Sequence, residues 1–206
     1  MATCTRPAAL SGISKFSCAT HFDQFIGILM QRGQATPSFA TEAELKSLAK
    51  WTPLLAAPDG TKVVKTPEFA NGVIPGSEPQ FADQNSNASI GGLGYFTGFN
   101  TVQATGEFIG LPSDIRTQLS LLEEESRPGL DPGLTGYIIL LDGRLVYNKD
   151  EQGIISGVPL TNFYVGSLNL QGFKTLNRNA FGFTLDGTWD KNLQVVKPDF
   201  NPRTAL

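Results

Sequence analysis

The stretch Tyr137-Ile138-Ile139-Leu140-Leu141-Asp142-Gly143-Arg144-Leu145-Val146-Tyr147 decides the fold. Two runs of β-branched, aliphatic and aromatic residues flank an Asp-Gly pair. Glycine takes up left-handed backbone at no steric cost, and a two-residue connection of this kind matches the twist of the strands it joins. The pattern predicts an antiparallel hairpin with a type I′ turn at Asp142-Gly143.

Moving outward, more strands are expected. Downstream they fall near 157–168, 179–189 and 192–197, with a bend at Asp186-Gly187 and Pro198 ending the last. Upstream, Tyr95 to Ile109 reads as one long strand, with Phe99, Thr101, Gln103, Thr105 and Glu107 on one face. Residues 61–66 suit a short strand. The first strand is expected over 20–30, where Gly27 marks a bulge or a close backbone approach.

Two short helices interrupt this β pattern. Thr41-Glu42-Ala43-Glu44 is a capping box: the Thr41 hydroxyl can accept the residue 44 amide while Glu44 reaches back. Ala43, Leu45, Leu48 and Ala49 then keep one face apolar, and Pro53 lies where the helix should end. The second helix starts at Leu111-Pro112-Ser113 and places Ile115, Leu119 and Leu122 on one stripe. Glu123, Glu124 and Glu125 sit at its C-terminal end, which is the wrong end for the helix dipole. They are expected to be solvated or to meet a basic partner across an interface.

Three segments follow no clear period. Residues 1–19 read as a small polar arm and residues 198–206 as a tail. Residues 67–94 combine Pro67, Pro75 and Pro79 with several glycines and an Asn/Gln/Ser run. A structureless loop of this length is uncommon in a compact domain and usually has a function. The alternative is an extended hairpin stabilised only by its neighbours. The fold expected is mainly β with two short helices (α+β): an antiparallel β-sandwich or small barrel flanked by a helix, in one domain spanning 1–206.

Composition narrows the function classes. Charged residues make up 17% of the chain, against roughly 25% in an average globular domain, and the net charge is −3. So little charge favours association between copies. No basic cluster offers a footprint for nucleic-acid phosphates. No apolar run is long enough to span a bilayer, so no membrane insertion is expected.

Reactive constellations are scarce. The one histidine, His21, stands beside Phe22 and near Asp23 and Phe25, a setting more often structural than catalytic. No Gly-x-Ser-x-Gly nominates a nucleophile. Cys4 and Cys18 form no Cys-x-x-Cys and have no histidine cluster, which argues against zinc. They can bridge a loop in oxidising surroundings or stay reduced. Gly91-Gly92-Leu93-Gly94 is not a phosphate loop. No catalytic residue, cofactor or metal is therefore expected. The phenylalanines, spread over the strands, read as core and interface filler.

The order of features is an arm with two cysteines, a capped helix near 41–52, and a Pro/Gly/Asn-rich segment. A long strand then runs into Gly106-Glu107-Phe108-Ile109-Gly110-Leu111-Pro112-Ser113 and a helix, and the Gly136–Leu145 hairpin follows. The chain closes near Trp189 to Phe200. This order resembles structural proteins of tailed bacteriophages, and more loosely the tail tube family, which includes the inner tubes of contractile injection systems. The resemblance implies a non-enzymatic virion component assembled in the host bacterial cytoplasm. Six copies would close a ring through sheet-to-sheet pairing, and rings would stack into a tail conduit for DNA that does not bind it specifically. Its partners would be itself and other tail proteins. Residues 1–19 and 67–94 would then carry inter-subunit contacts, with Pro75, Glu78, Pro79, Phe81, Asn85, Gly92 and Tyr95 as candidates. The competing readings are a capsid decoration, baseplate or connector protein, a soluble sugar- or peptide-binding β module, and an enzyme using unassigned carboxylates.

Overall fold

The computed structural model describes residues 22–34, 36–84, 92–169 and 176–206. The arm 1–19, both cysteines, His21 and Asn85 lie outside the described residues. The hairpin read from the sequence is present as β7 (Leu134–Leu140) and β8 (Leu145–Lys149). Its turn is not type I′. Gly143 is left-handed at φ 82°, but Asp142 is not. The Gly143 amide donates to Leu140 O and the Leu140 amide to Arg144 O, which is a type I turn closed by a glycine bulge. The Asp142 carboxylate accepts the Arg144 amide at 3.1 Å and pairs with its guanidinium, holding residue 142 on the right-handed side.

β1 (Phe25–Arg32) runs antiparallel along β7, with Leu29 opposite Tyr137 and Met30 opposite Gly136. The expected bulge is there: the register shifts between Phe25 and Gly27. Seven consecutive residues of β1 are buried, with no alternation. The cause is a layer on each side. Phe25, Ile28, Met30, Ile138 and Leu140 face one apolar cluster, while Ile26, Leu29, Tyr137 and Ile139 face another. The first sheet is completed by β2 (Val63–Lys65) beside β1, and by β9 (Ile155–Ser156) and β12 (Leu193–Val196) beside β8.

One face of this sheet is covered by helices. The expected helix is split into α1 (Glu42–Lys46) and α2 (Leu48–Ala56), with extended backbone at Ser47. The capping box forms: Thr41 Oγ1 accepts the Glu44 amide at 3.3 Å, and the Glu44 carboxylate accepts the Ala40 amide at 2.8 Å. The split has a clear reason. Trp51 Nε1 donates to Leu45 O at 2.8 Å, taking the carbonyl that a continuous helix would use for residue 49. Pro53 lies inside α2 rather than ending it, and its ring forgoes one ladder bond.

The other face meets a second sheet ordered β10 (Val158–Asn169), β11 (Arg178–Leu185), β6 (Val102–Ile109) and β3 (Ala70–Val73). β10 belongs to both sheets. Val158 to Leu160 pair with β7, and residues from Thr161 on pair with β11. The corner falls at Asn162, left-handed at φ 52°, as expected where a strand switches layers. On β6, Gln103, Thr105 and Glu107 point outward while Val102, Ala104 and Phe108 are buried, as the alternation predicts. Between the sheets Phe69, Phe108, Phe163 and Phe181 pack ring against ring.

α3 (Ser113–Glu125) closes this layer with Ile115, Leu119 and Leu122, the expected stripe. Its acidic end needs no outside partner. Glu125 grips Arg32 through two bonds of 2.6 and 2.7 Å, Glu124 pairs with Arg127, and Glu123 accepts the Val165 amide at 2.9 Å. The last residues fold back onto the body through α4 (Pro202–Ala205). Lys65 Nζ donates to the carbonyls of Pro202, Arg203 and Leu206, and Arg203 pairs with Glu68. Among the described residues the result is an antiparallel β-sandwich with four short helices instead of two, and no closed barrel.

Trp51 is fully buried, 4.5 Å from the Phe39 ring and 5.2 Å from Tyr137. Trp51→Ala is expected to cost about 3–5 kcal/mol of stability, read by chemical denaturation. A loss under about 1 kcal/mol would mean that the helices do not depend on it.

Candidate assembly surface

After Ile74, which still packs on the inter-sheet core, the described residues 79–84 and 93–99 form no strand of the sandwich. They pair as a two-stranded ribbon, β4 (Pro79–Gln84) against β5 (Leu93–Phe99), with no third strand on either edge among the described residues. The strand expected over 95–109 therefore breaks at Asn100-Thr101 into β5 and β6. The break is held at the ribbon's root. The Asn100 amide donates to Glu78 O at 2.8 Å, and Gln80 Nε2 donates to Asn100 Oδ1. The Gly187 turn presses against the same spot: a Cβ there would lie 2.6 Å from Phe99 O and 2.7 Å from Asn100 O. Only glycine allows that approach.

The ribbon has two unlike faces. Pairing puts Phe81 opposite Phe96 and Pro79 opposite Phe99, with an irregularity after Gln80. That extra residue in β5 is what places Phe96 and Phe99, three apart, on one face. The three rings form an edge-to-face row, with centroids 5.9 Å apart for Phe81–Phe96 and 5.2 Å for Phe96–Phe99. They remain 45%, 56% and 44% exposed. The opposite face carries Gln80, Ala82, Gln84, Leu93 and Tyr95.

Of the candidate contact residues, Pro79 and Phe81 lie on the aromatic face and Tyr95 on the other. Glu78 sits at the root, and Pro75 is exposed in the link from β3. Gly92 is half-buried at the start of β5, with φ 71°. Asn85 lies outside the described residues. Sequence reasoning did not single out Phe96, Phe99 or Leu93 as contact residues, because phenylalanines spread over strands read as core and interface filler alike. The usable signal was Pro79–Gln84 and Leu93–Phe99 flanking a polar Asn/Ser run, a hairpin pattern without alternating burial partners.

Chemistry elsewhere is sparse. No three His, Cys, Asp or Glu side chains converge as metal ligands among the described residues. Asp23 is exposed and accepts the Gln24 amide. Glu107 is held below the usual carboxylate range by Asn71 and Arg178, on the exposed face of the second sheet. Burial pushes the Tyr137 phenol well up, but it lies in the core. No described helix is long and apolar enough to cross a membrane.

No family model matches the chain, and no curated protein matches it. Among solved structures, a chain from the virion of a native gene transfer agent particle aligns at 13% identity, covering 65% of this chain and 88% of that one, with a TM-score of 0.36. Similarity at that level carries no functional argument.

A two-stranded ribbon is marginal in water without a third strand or a packed face. In the isolated chain, amides of β4–β5 are expected to exchange with solvent at least a hundredfold faster than those of β6 and β11, measured by hydrogen–deuterium exchange. Equal protection would show that the ribbon is stable by itself.

Proposed function

We propose that this chain is a structural virion subunit that works by self-assembly, as a tail tube protein does. The observation that carries the reading is the ribbon: a row of three half-exposed phenylalanine rings, Phe81, Phe96 and Phe99, on two strands that no further strand joins among the described residues. Such a surface is a liability for a monomer and an asset for an assembly that pairs and buries it. Like copies joined head to tail close a ring when the rotation allows. On this reading six copies form each ring, and rings stack to enclose the conduit for DNA. Pro75, Glu78, Pro79, Phe81, Asn85, Gly92 and Tyr95 belong to the contact segment, extended by Phe96 and Phe99. The arm 1–19 contributes alongside them. The partners are further copies and other tail proteins, and assembly takes place in the host bacterial cytoplasm.

The test replaces Phe81, Phe96 and Phe99 together by serine. These rings belong to neither core cluster, so the melting temperature of the monomer is expected to move by only about 2 °C. Rings and tubes, seen by negative-stain microscopy and sedimentation, are expected to be lost. Tubes forming at wild-type yield would overturn the reading, as would a wild-type chain that stays monomeric at high concentration.

A further inference from the structure

The start of β1, the edge strand β3, the inner faces of β7 and β8, and Trp189 together line an apolar groove of about 350 Å³. Its floor, formed by Ile138, Leu140 and Val146, is already buried. The opening therefore has room for a side chain at its mouth, not for the face of a strand. Phe22 and Val73 at that mouth are 53% and 55% exposed. Asp23 is the one charged lining residue, and among the described residues it accepts only the Gln24 amide.

The described residues begin at Phe22, on the wall of this groove. Any occupant must share the mouth with the segment that enters there, residues 1–21. We propose that this segment of the same chain is the occupant, with the Phe16 ring seated at the mouth against Val73 and Trp189. Three properties of the segment support it. The first is reach. Phe16 precedes Phe22 by six positions, a span of up to about 20 Å when extended. The link between them, Ser17-Cys18-Ala19-Thr20-His21, has no bulky aliphatic side chain to compete for the site. The second is apolar content. Leu10, Ile13 and Phe16 are the large apolar side chains of residues 2–21, and burial beside the core removes such surface from water. The third is charge. All 19 acidic residues lie in 22–206, whereas residues 1–21 hold Arg6 and Lys15 and no acid. Lys15, next to Phe16, is then brought towards Asp23. A short tether also gives the segment an effective concentration on the order of millimolar, which a second copy or a free ligand has to outcompete. The proposal concerns how one copy covers itself. It stands apart from the assembly reading and leaves residues 1–7 for contacts with neighbours.

Thiol labelling tests this. The protein carries Cys4→Ser, Cys18→Ser and Val73→Cys, so that its one thiol lies at the mouth of the groove. Its rate of reaction with a maleimide is measured on dilute monomer, with and without residues 2–19. The full chain is expected to react at least roughly tenfold more slowly than the shortened one. Phe16→Asp in the full chain is expected to remove that protection, and Phe16→Leu to keep most of it. The Phe16→Asp arm decides the matter where the shortened chain does not fold, as checked by circular dichroism. Equal rates in the full and shortened chains overturn the proposal, and so does a Phe16→Asp chain that stays protected. Slow labelling that survives loss of residues 2–19 means that something else fills the groove. Protection that grows with protein concentration means that the segment comes from another copy. Either result overturns the proposal. Because the measurement is made on monomers, none of these outcomes bears on whether the chain assembles.

Discussion

The structure depends on one constraint: β1 and β7 must hide two apolar faces at once. A strand covered on one side alternates; these two do not, because helices lie on one side and a second sheet on the other. The rest of the body serves that requirement. The bulge at Gly27 lets Ile26 and Ile28 reach opposite clusters. Gly136 gives β7 room between β1 and β10, since a Cβ there would come within 2.8 Å of both Ile28 and Leu160. β10 turns its corner so that one strand starts in the first layer and finishes in the second.

The ribbon stands outside that arrangement. It takes no share of either cluster, and its rings are held mainly by each other. On the proposed assembly reading, association with another copy must overcome the entropy of docking and of ordering side chains. Rings already aligned in a row have less to lose on binding than loose ones. The body supplies a rigid root, and the ribbon supplies the apolar area.

Local features were legible in the sequence. The hairpin around Asp142-Gly143, the Thr41 capping box, the α3 stripe and the outward face of Gln103, Thr105 and Glu107 each depend on residues a few positions apart. What escaped depended on distant partners. The turn type was set by the Asp142 side chain reaching Arg144. The split at Ser47 came from the Trp51 indole taking the Leu45 carbonyl. The glutamates of α3 met Arg32 and the Val165 amide, far along the chain. The strand over 95–109 broke because Gly187, nearly ninety positions on, presses at its middle. The aromatic face stayed hidden because Phe96 and Phe99, three apart, belong on opposite sides of a regular strand.

The irregular pairing after Gln80 has a consequence for how such a chain can vary. Side-chain direction in a ribbon depends on odd or even position alone, so one extra residue in β5 acts as a parity bit. A single-residue insertion or deletion between Phe96 and Phe99 would scatter the rings to both sides and leave the length almost unchanged. Relatives sharing this device should therefore keep the Phe96–Phe99 spacing odd, tolerating change there in steps of two.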